Sequence, residues 1–227
     1  MPELPDIEIY LESLRERVEG RTLTHVQLKN PFLLRTAVPP IEGASGKRVT
    51  ELRRIGKRIV IGLEGGLFLV IHLMIAGRLQ WRDTGAPREP HNTLAVFEFE
   101  NGKLFLTEAG TKRRASLHVV AGEDALAALD PGGHDVMKMD VGAFARTLRA
   151  RNHTLKRALT DPHIFSGIGN AYSDEILHAA KLSPLALTSR LADADASALF
   201  AATRATLSAW IERLRRQAAG KFPEKVT

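Results

Sequence analysis

The feature that most limits what this chain can fold into is a change of hydrophobic rhythm at Asp130-Pro131-Gly132-Gly133. Ahead of it, apolar residues come in short runs at 22–28, 58–63, 67–73, 94–99, 103–107 and 115–120, rich in branched and aromatic side chains and divided by turn signals. Glu64-Gly65-Gly66 predicts one hairpin, and Asn101-Gly102, a pair suited to a type I′ turn, predicts another. Pro39-Pro40 and residues 83–90 read as loops. Beyond the break the spacing turns helical over 141–150, 155–159, 172–180 and 196–217, with Asp140 and Asn170 placed to cap. One helix precedes the strands: Ile7, Leu11, Leu14 and Val18 recur at helical spacing, Pro5 presets φ for the first turn, and Gly20 can take the left-handed conformation that ends it. Short antiparallel strands joined by tight turns argue for a sandwich or barrel. The expected fold is α+β: an N-terminal β-sandwich with a flanking N-terminal helix over 1–125, a linker over 126–140, and an all-α domain over 141–227.

A chain of 227 residues with 44% apolar content can bury a core of that size. Its net charge of +6 and isoelectric point near 9.8 suit a protein that touches a polyanion. Basic residues gather at Arg53-Arg54 with Lys57-Arg58, at Lys112-Arg113-Arg114, along 149–157 and at Arg213 with Arg215-Arg216. One such cluster is ordinarily a solvated face. Several in one basic chain, none joined to a strongly apolar exposed face, favour nucleic acid over a membrane. Cysteine is absent, which excludes a disulfide framework, a thiolate nucleophile and a cysteine-based zinc site within these residues. The eight histidines show no metal-ligand spacing, so no metal or other cofactor is expected here. No stretch approaches about 20 consecutive apolar residues, and the N-terminus lacks the form of a signal peptide, so a cytoplasmic protein is expected.

The chain opens Met1-Pro2-Glu3-Leu4-Pro5-Asp6-Ile7-Glu8. A small second residue lets the initiator methionine be removed, leaving the secondary amine of Pro2. An α-amino group titrates around 7.7–8.0, so it offers a lone pair near neutral pH without the desolvation a lysine needs. Glu3 stands beside it to handle protons, and Asp6 and Glu8 suit the positive end of the following helix. The same letters also describe an ordinary proline-rich helix start. Further on, Ser166-Gly167-Ile168-Gly169-Asn170 precedes a helical stretch, an arrangement that lets backbone N–H groups approach a phosphate; equally, Gly-x-Gly before a helix can be only a tight turn. Lys57 follows Gly56 at the start of an apolar strand and should emerge at the sheet edge, His91 lies in a loop before a strand, and His72 reads as a satisfied strand-end histidine.

Together these pieces resemble the formamidopyrimidine-DNA glycosylase and endonuclease VIII family over nearly the whole chain. The carriers, in order, are Pro2-Glu3-Leu4-Pro5, Gly56-Lys57-Arg58, His72-Leu73 and Gly167-Ile168-Gly169-Asn170-Ala171-Tyr172. The resemblance implies a bacterial base-excision repair enzyme acting on damaged double-stranded DNA near the nucleoid, expected as a monomer, with a helix–two-turn–helix element in its all-α domain. Pro2 would be the nucleophile, Glu3 the acid and base, and Lys57 a phosphate contact that also relays protons. His91, Arg113, Arg114, Arg151, Lys156, Gly169 and Asn170 would bind DNA, with Asp6 and Glu175 as structural braces. Three departures stand out. The family's void-filling methionine falls by register at Ile75, with Met74 one residue early, so either can serve. In the segment 107–116, Arg113 or Arg114 can fill the estranged position opposite the lesion, but the family's phenylalanine is missing. Relatives also continue into a four-cysteine zinc finger; none lies before Thr227, so these residues are expected to be part of a longer, zinc-containing product. Oxidised or ring-opened bases are the expected substrates; a catalytically silent damage-binding homologue and an RNA-binding module are the alternatives.

Overall fold

The computed structural model describes residues 1–85 and 89–223, so the expected loop at 83–90 and the C-terminal tail fall partly outside the described residues. In chain order the elements are α1 (Leu4–Val18), β1 (Thr22–Leu28), β2 (Lys47–Ile55), β3 (Arg58–Leu63), β4 (Leu67–His72), β5 (Gly77–Asp83), β6 (Thr93–Phe99), β7 (Gly102–Glu108), β8 (Ser116–Ala121) and α2 (Glu123–Ala127). Then come α3 (Val141–Arg149), α4 (Leu155–Thr160), α5 (Asn170–Ala180) and α6 (Asp193–Ala218). The α+β reading, a strand-built first half and a helical second half, is what the chain adopts.

The eight strands form one antiparallel sheet in the order β5-β7-β6-β1-β2-β3-β4-β8. β1 and β2 pair at only two positions, Thr22↔Arg48 and Leu23↔Lys47, and a register shift follows between Val49 and Glu51. There the sheet folds over, and inward side chains of both halves, such as Phe97, Leu104 and Leu106 from one and Ile59, Leu69 and Ile71 from the other, share one core. The outer face of β3, β4 and β8 is apolar too, and Val60, Phe68, Val70 and Val120 are covered by Leu126 of α2. That second buried face explains why β4 reads as an unbroken apolar run rather than an alternation.

Two strands and a helix lie where sequence patterning gave no element. β2, Lys-Arg-Val-Thr-Glu-Leu-Arg-Arg-Ile, buries only Val49 and Leu52; its charges hide the strand, and the bulge breaks its alternation. β5 alternates properly, with Gly77, Leu79 and Trp81 inward. α2 crosses the boundary expected between 125 and 126, and the linker beyond it is pinned: the His134 amide donates to the Ile164 carbonyl at 2.9 Å, and Ser166 returns a bond to the His134 carbonyl at 2.8 Å. The hairpin at Glu64-Gly65-Gly66 forms with φ of +80° and +70° at its glycines. The second hairpin also forms, but Asn101 and Gly102 have no positive φ, so it is not the type I′ turn its letters suggested. Gly102 is required for packing instead, since a methyl there would sit 2.4 Å from the Trp81 ring.

α1 joins the two halves. Ile7, Tyr10, Leu11, Leu14 and Val18 pack in the sandwich core, while Leu4 belongs to the helical core with Phe165, Ile168 and Tyr172. Each fully buried aliphatic contributes about 1.5–3 kcal/mol, so a few residues of one helix tie both cores together. α6 lies along α1, where Arg215 donates to Glu12 at 2.9 Å.

Candidate active site and nucleic-acid interface

The alternation of strand direction gathers the chemistry at one end of the sandwich. β3 begins there, β4 ends, β5 and β6 begin, β7 ends and β8 begins. That end therefore carries the Gly56-Lys57 turn, the 73–76 turn, the His91-Asn92 loop and the 109–115 loop. Lys57 is thus in a two-residue turn closed by the Ile55↔Arg58 pair, with Gly56 at φ +58°, directly before β3.

The N-terminus reaches this end through its neighbours. Pro2 is buried and Met1 is exposed, with Met1 still acylating the Pro2 nitrogen. The Glu3 amide donates to Asp6 Oδ2 at 2.8 Å and the Leu4 amide to the Gly167 carbonyl at 2.9 Å, which fixes the direction of the first residues. Asp6 is fully buried and holds the Glu3 amide through this bond.

The loop at 166–170 binds an anion, but the anion is Glu3. The amides of Gly169, Ala171 and Tyr172 donate to its carboxylate at 2.6, 3.0 and 3.3 Å. These are orphan donors at the start of α5, so a side chain from the far end of the sequence serves as the helix cap. This corrects three expectations. The Gly169 N–H, expected to face DNA, is engaged by Glu3. Asn170 is the first helical residue rather than the cap, and its exposed side chain is what remains for a phosphate. Glu175 is exposed and makes no side-chain hydrogen bond or ion pair among the described residues, so Glu3 and not Glu175 braces the loop.

Glu3 is 2% exposed, and burial pushes its carboxyl pKa up, against the pull of the three amides and the Lys57 ammonium. Burial pushes Lys57 down, with Glu3 opposing. Burial thus raises the acid and lowers the base, while the charge of each opposes the shift of the other. A methyl at Gly169 would stand 2.5 Å from Glu3 Oε1 and 2.7 Å from Lys57 Nζ, so both groups press on one bare Cα.

His72, expected to be satisfied, is not. It ends β4 opposite Arg58, its Nε2 is buried without a partner, and burial, then Arg58, Lys57 and His118, push its pKa down to about 4. A neutral imidazole thus faces the Lys57 side of the site. The signal in the sequence was the pairing of His72 with the Gly-Lys-Arg turn, which only a register could reveal.

The remaining expected DNA contacts are presented to solvent. His91, Arg113, Arg114, Arg151 and Asn170 are exposed. Ile75 is 58% exposed, whereas Met74 is half-buried at φ +53°, a backbone state that favours glycine. Lys156 is not free: its Nζ donates to both oxygens of Asp174 at 2.7 and 2.9 Å. The chain has no cysteine, and no cluster of three potential metal ligands is present among the described residues. Nor is any helix among the described residues long and apolar enough to cross a membrane.

Residues 1–115 match the formamidopyrimidine-DNA glycosylase N-terminal domain and residues 128–219 the formamidopyrimidine-DNA glycosylase H2TH domain. The formamidopyrimidine-DNA glycosylase of Desulforamulus reducens is 33% identical over 222 residues, covering 93% of this chain and 78% of the relative. That of Thermus thermophilus is 32% identical over 224 residues, covering 93% and 76%. The crystal structure of the Thermus protein superposes with a TM-score of 0.81 at 30% identity, over 94% of this chain and 77% of that one. A Lactococcus lactis enzyme in complex with DNA containing an oxidized pyrimidine shares the fold, with a TM-score of 0.86 at 24% identity over 99% and 85%. With both domains matched and relatives of this identity, the chain belongs to the formamidopyrimidine-DNA glycosylase family, DNA glycosylases of base-excision repair.

Proposed function

We propose that this protein, once Met1 is removed, is a bifunctional glycosylase and abasic-site lyase that works through the Pro2 amine. The supporting observation is the Glu3 carboxylate, buried beside Pro2 and held by three amides of α5 next to Lys57. A damaged nucleotide is extruded, because C1′ is unreachable in the stack and unstacking costs about a few kcal/mol. Ile75, the exposed residue of the 73–76 turn, fills the gap in preference to Met74. Pro2 attacks C1′, the glycosidic bond breaks, and the base leaves with a proton. Glu3 supplies and removes protons around ring opening, and its charge stabilises the iminium. The iminium acidifies C2′–H; loss of that proton expels the 3′ phosphate, with Lys57 against the phosphate. A δ-elimination is open to the same intermediate, and water then releases Pro2.

Oxidised or ring-opened bases are the proposed substrates, in keeping with the oxidized-pyrimidine DNA of the Lactococcus complex. Borohydride reduction on abasic duplex, with the Met1-processed protein, should give a covalent adduct that mass spectrometry places on Pro2. An adduct on a lysine, or tight binding with none, would overturn the proposal, and the second result would make the protein a damage binder.

Phosphate contact by Lys156 requires DNA to displace Asp174. Asp174→Asn should therefore tighten binding to undamaged duplex about two- to fivefold, the worth of an exposed pair. The gain should vanish in a Lys156→Ala background, where no ammonium is left to release. A gain that persists without Lys156 would remove Lys156 from the interface.

A further inference from the structure

Glu108, which ends β7, is a buried carboxylate that the chemistry above does not use. It is 1% exposed, yet no Lys, Arg or His among the described residues pairs with it. Its oxygens accept from the Arg114 amide at 2.9 and 2.9 Å and from the Ala115 amide at 3.0 Å. Between them runs an exposed six-residue loop, 109–114, whose Lys112, Arg113 and Arg114 side chains make no ion pair or hydrogen bond among the described residues. A charge buried this way costs more than an apolar residue of the same size would. Holding the loop by its backbone rather than by its guanidiniums leaves all three cations available to a polyanion outside.

The same residue touches the two neighbouring loops. Its amide donates to the Asn92 carbonyl at 3.1 Å, beside His91, where Asn92 stands at φ +59°. Its cross-strand partner is Gly77, the residue that closes the turn carrying Ile75 through a 2.9 Å bond from its amide to the Leu73 carbonyl. A methyl at Gly77 would lie 2.2 Å from that carbonyl oxygen, so the turn is tightly closed on this strand end. Three loops that face one way are thus referenced to one side chain and its backbone.

We propose that Glu108 is the positioning residue for recognition of the base opposite the lesion: it fixes Arg113 and Arg114 relative to Ile75 and His91. The proposal rests on the glycosylase reading. It acts through the arginines and not on the reacting atoms, because Pro2, Glu3 and Lys57 are set by other turns. Glu108→Gln keeps the shape but replaces one acceptor with a donor that faces an amide N–H, so the loop loses one end of its clamp.

The test uses duplexes with the same lesion opposite each of the four bases. In Glu108→Gln the ratio of kcat/KM between the best and worst opposite base should fall at least fivefold, while borohydride trapping on single-stranded abasic DNA stays within twofold of wild type. In an Arg113→Ala/Arg114→Ala background, Glu108→Gln should leave the ratio unchanged, since the interaction it sets up is already gone. A merely structural role would lower both readouts and persist in that background. Should the Gln variant fail to fold, Glu108→Asp keeps the charge but cannot span both amides, and a smaller fall is expected. A wild-type ratio of one, an unchanged ratio in the variants, or an equal effect without the arginines overturns the proposal. Absence of any adduct or base release in wild type defeats the glycosylase reading instead.

Discussion

Replacing Gly169 with alanine should reduce borohydride trapping on abasic DNA about a hundredfold, the cost of misplacing catalytic groups by about 1 Å. The backbone itself tolerates the change, since φ at Gly169 is −133°, an extended value open to any residue. The loss is steric. The new methyl would meet Glu3 Oε1 at 2.5 Å, its carboxyl carbon at 2.6 Å and Lys57 Nζ at 2.7 Å, all well inside contact distance. Lys57 can swing away on its flexible stem. Glu3 cannot move without giving up bonds to the amides of Gly169, Ala171 and Tyr172. Duplex binding should weaken far less, since His91, Arg113, Arg114 and Arg151, the exposed residues proposed to contact DNA, lie on other loops. Trapping within threefold of wild type would show that the carboxylate does not need this seat.

The second large effect is expected at Arg54. Its side chain is 8% exposed; Nε donates to Glu8 of α1 and Nη2 to Asp135 of the linker, each at 2.7 Å. Nη1 reaches the Gly56 carbonyl at 2.9 Å and Ser166 Oγ at 3.2 Å. One guanidinium therefore ties α1, the Lys57 turn, the linker and the Glu3-binding loop. Arg54→Met fills the space but strands two carboxylates, which should cost about 3–5 kcal/mol. For a chain of this length that is a fall of about 6–20 °C in Tm by calorimetry. Arg54→Lys should recover little of it, because an ammonium cannot hold four acceptors spread around a planar fork. A Tm within 3 °C of wild type in the Met variant would refute the account.

Much of this architecture was legible in the sequence because local pattern and final environment agree. β1 and β3 have the bounds that their apolar runs predicted, and Asp140 caps α3 by accepting from the Ala143 amide at 2.7 Å. β2 was illegible for a physical reason: Arg53, Arg54 and Glu51 look like a solvated run, yet Arg54 is buried among acids that lie far away in sequence. The candidate site was legible in its residue types and not in its connections. Gly167-Ile168-Gly169 announces amides seeking an anion, and its letters cannot say that the anion is supplied by residue 3. Glu108 gave no signal at all, since a single acidic residue at a strand end becomes informative only when its burial and the two backbone amides that bind it are seen.

The cap that Glu3 places on α5 has a bearing on how the protein matures. Residues 1–3 leave the ribosome first, while the amides that fasten them are not synthesised until residue 172. Throughout that interval the Glu3 carboxylate lacks these donors, and Met1 stands on an open stretch of nascent chain. The seat of Glu3 is therefore completed only once residue 172 has been made, and a shorter chain holds Pro2 and Glu3 side by side in sequence without the amides that fix the carboxylate.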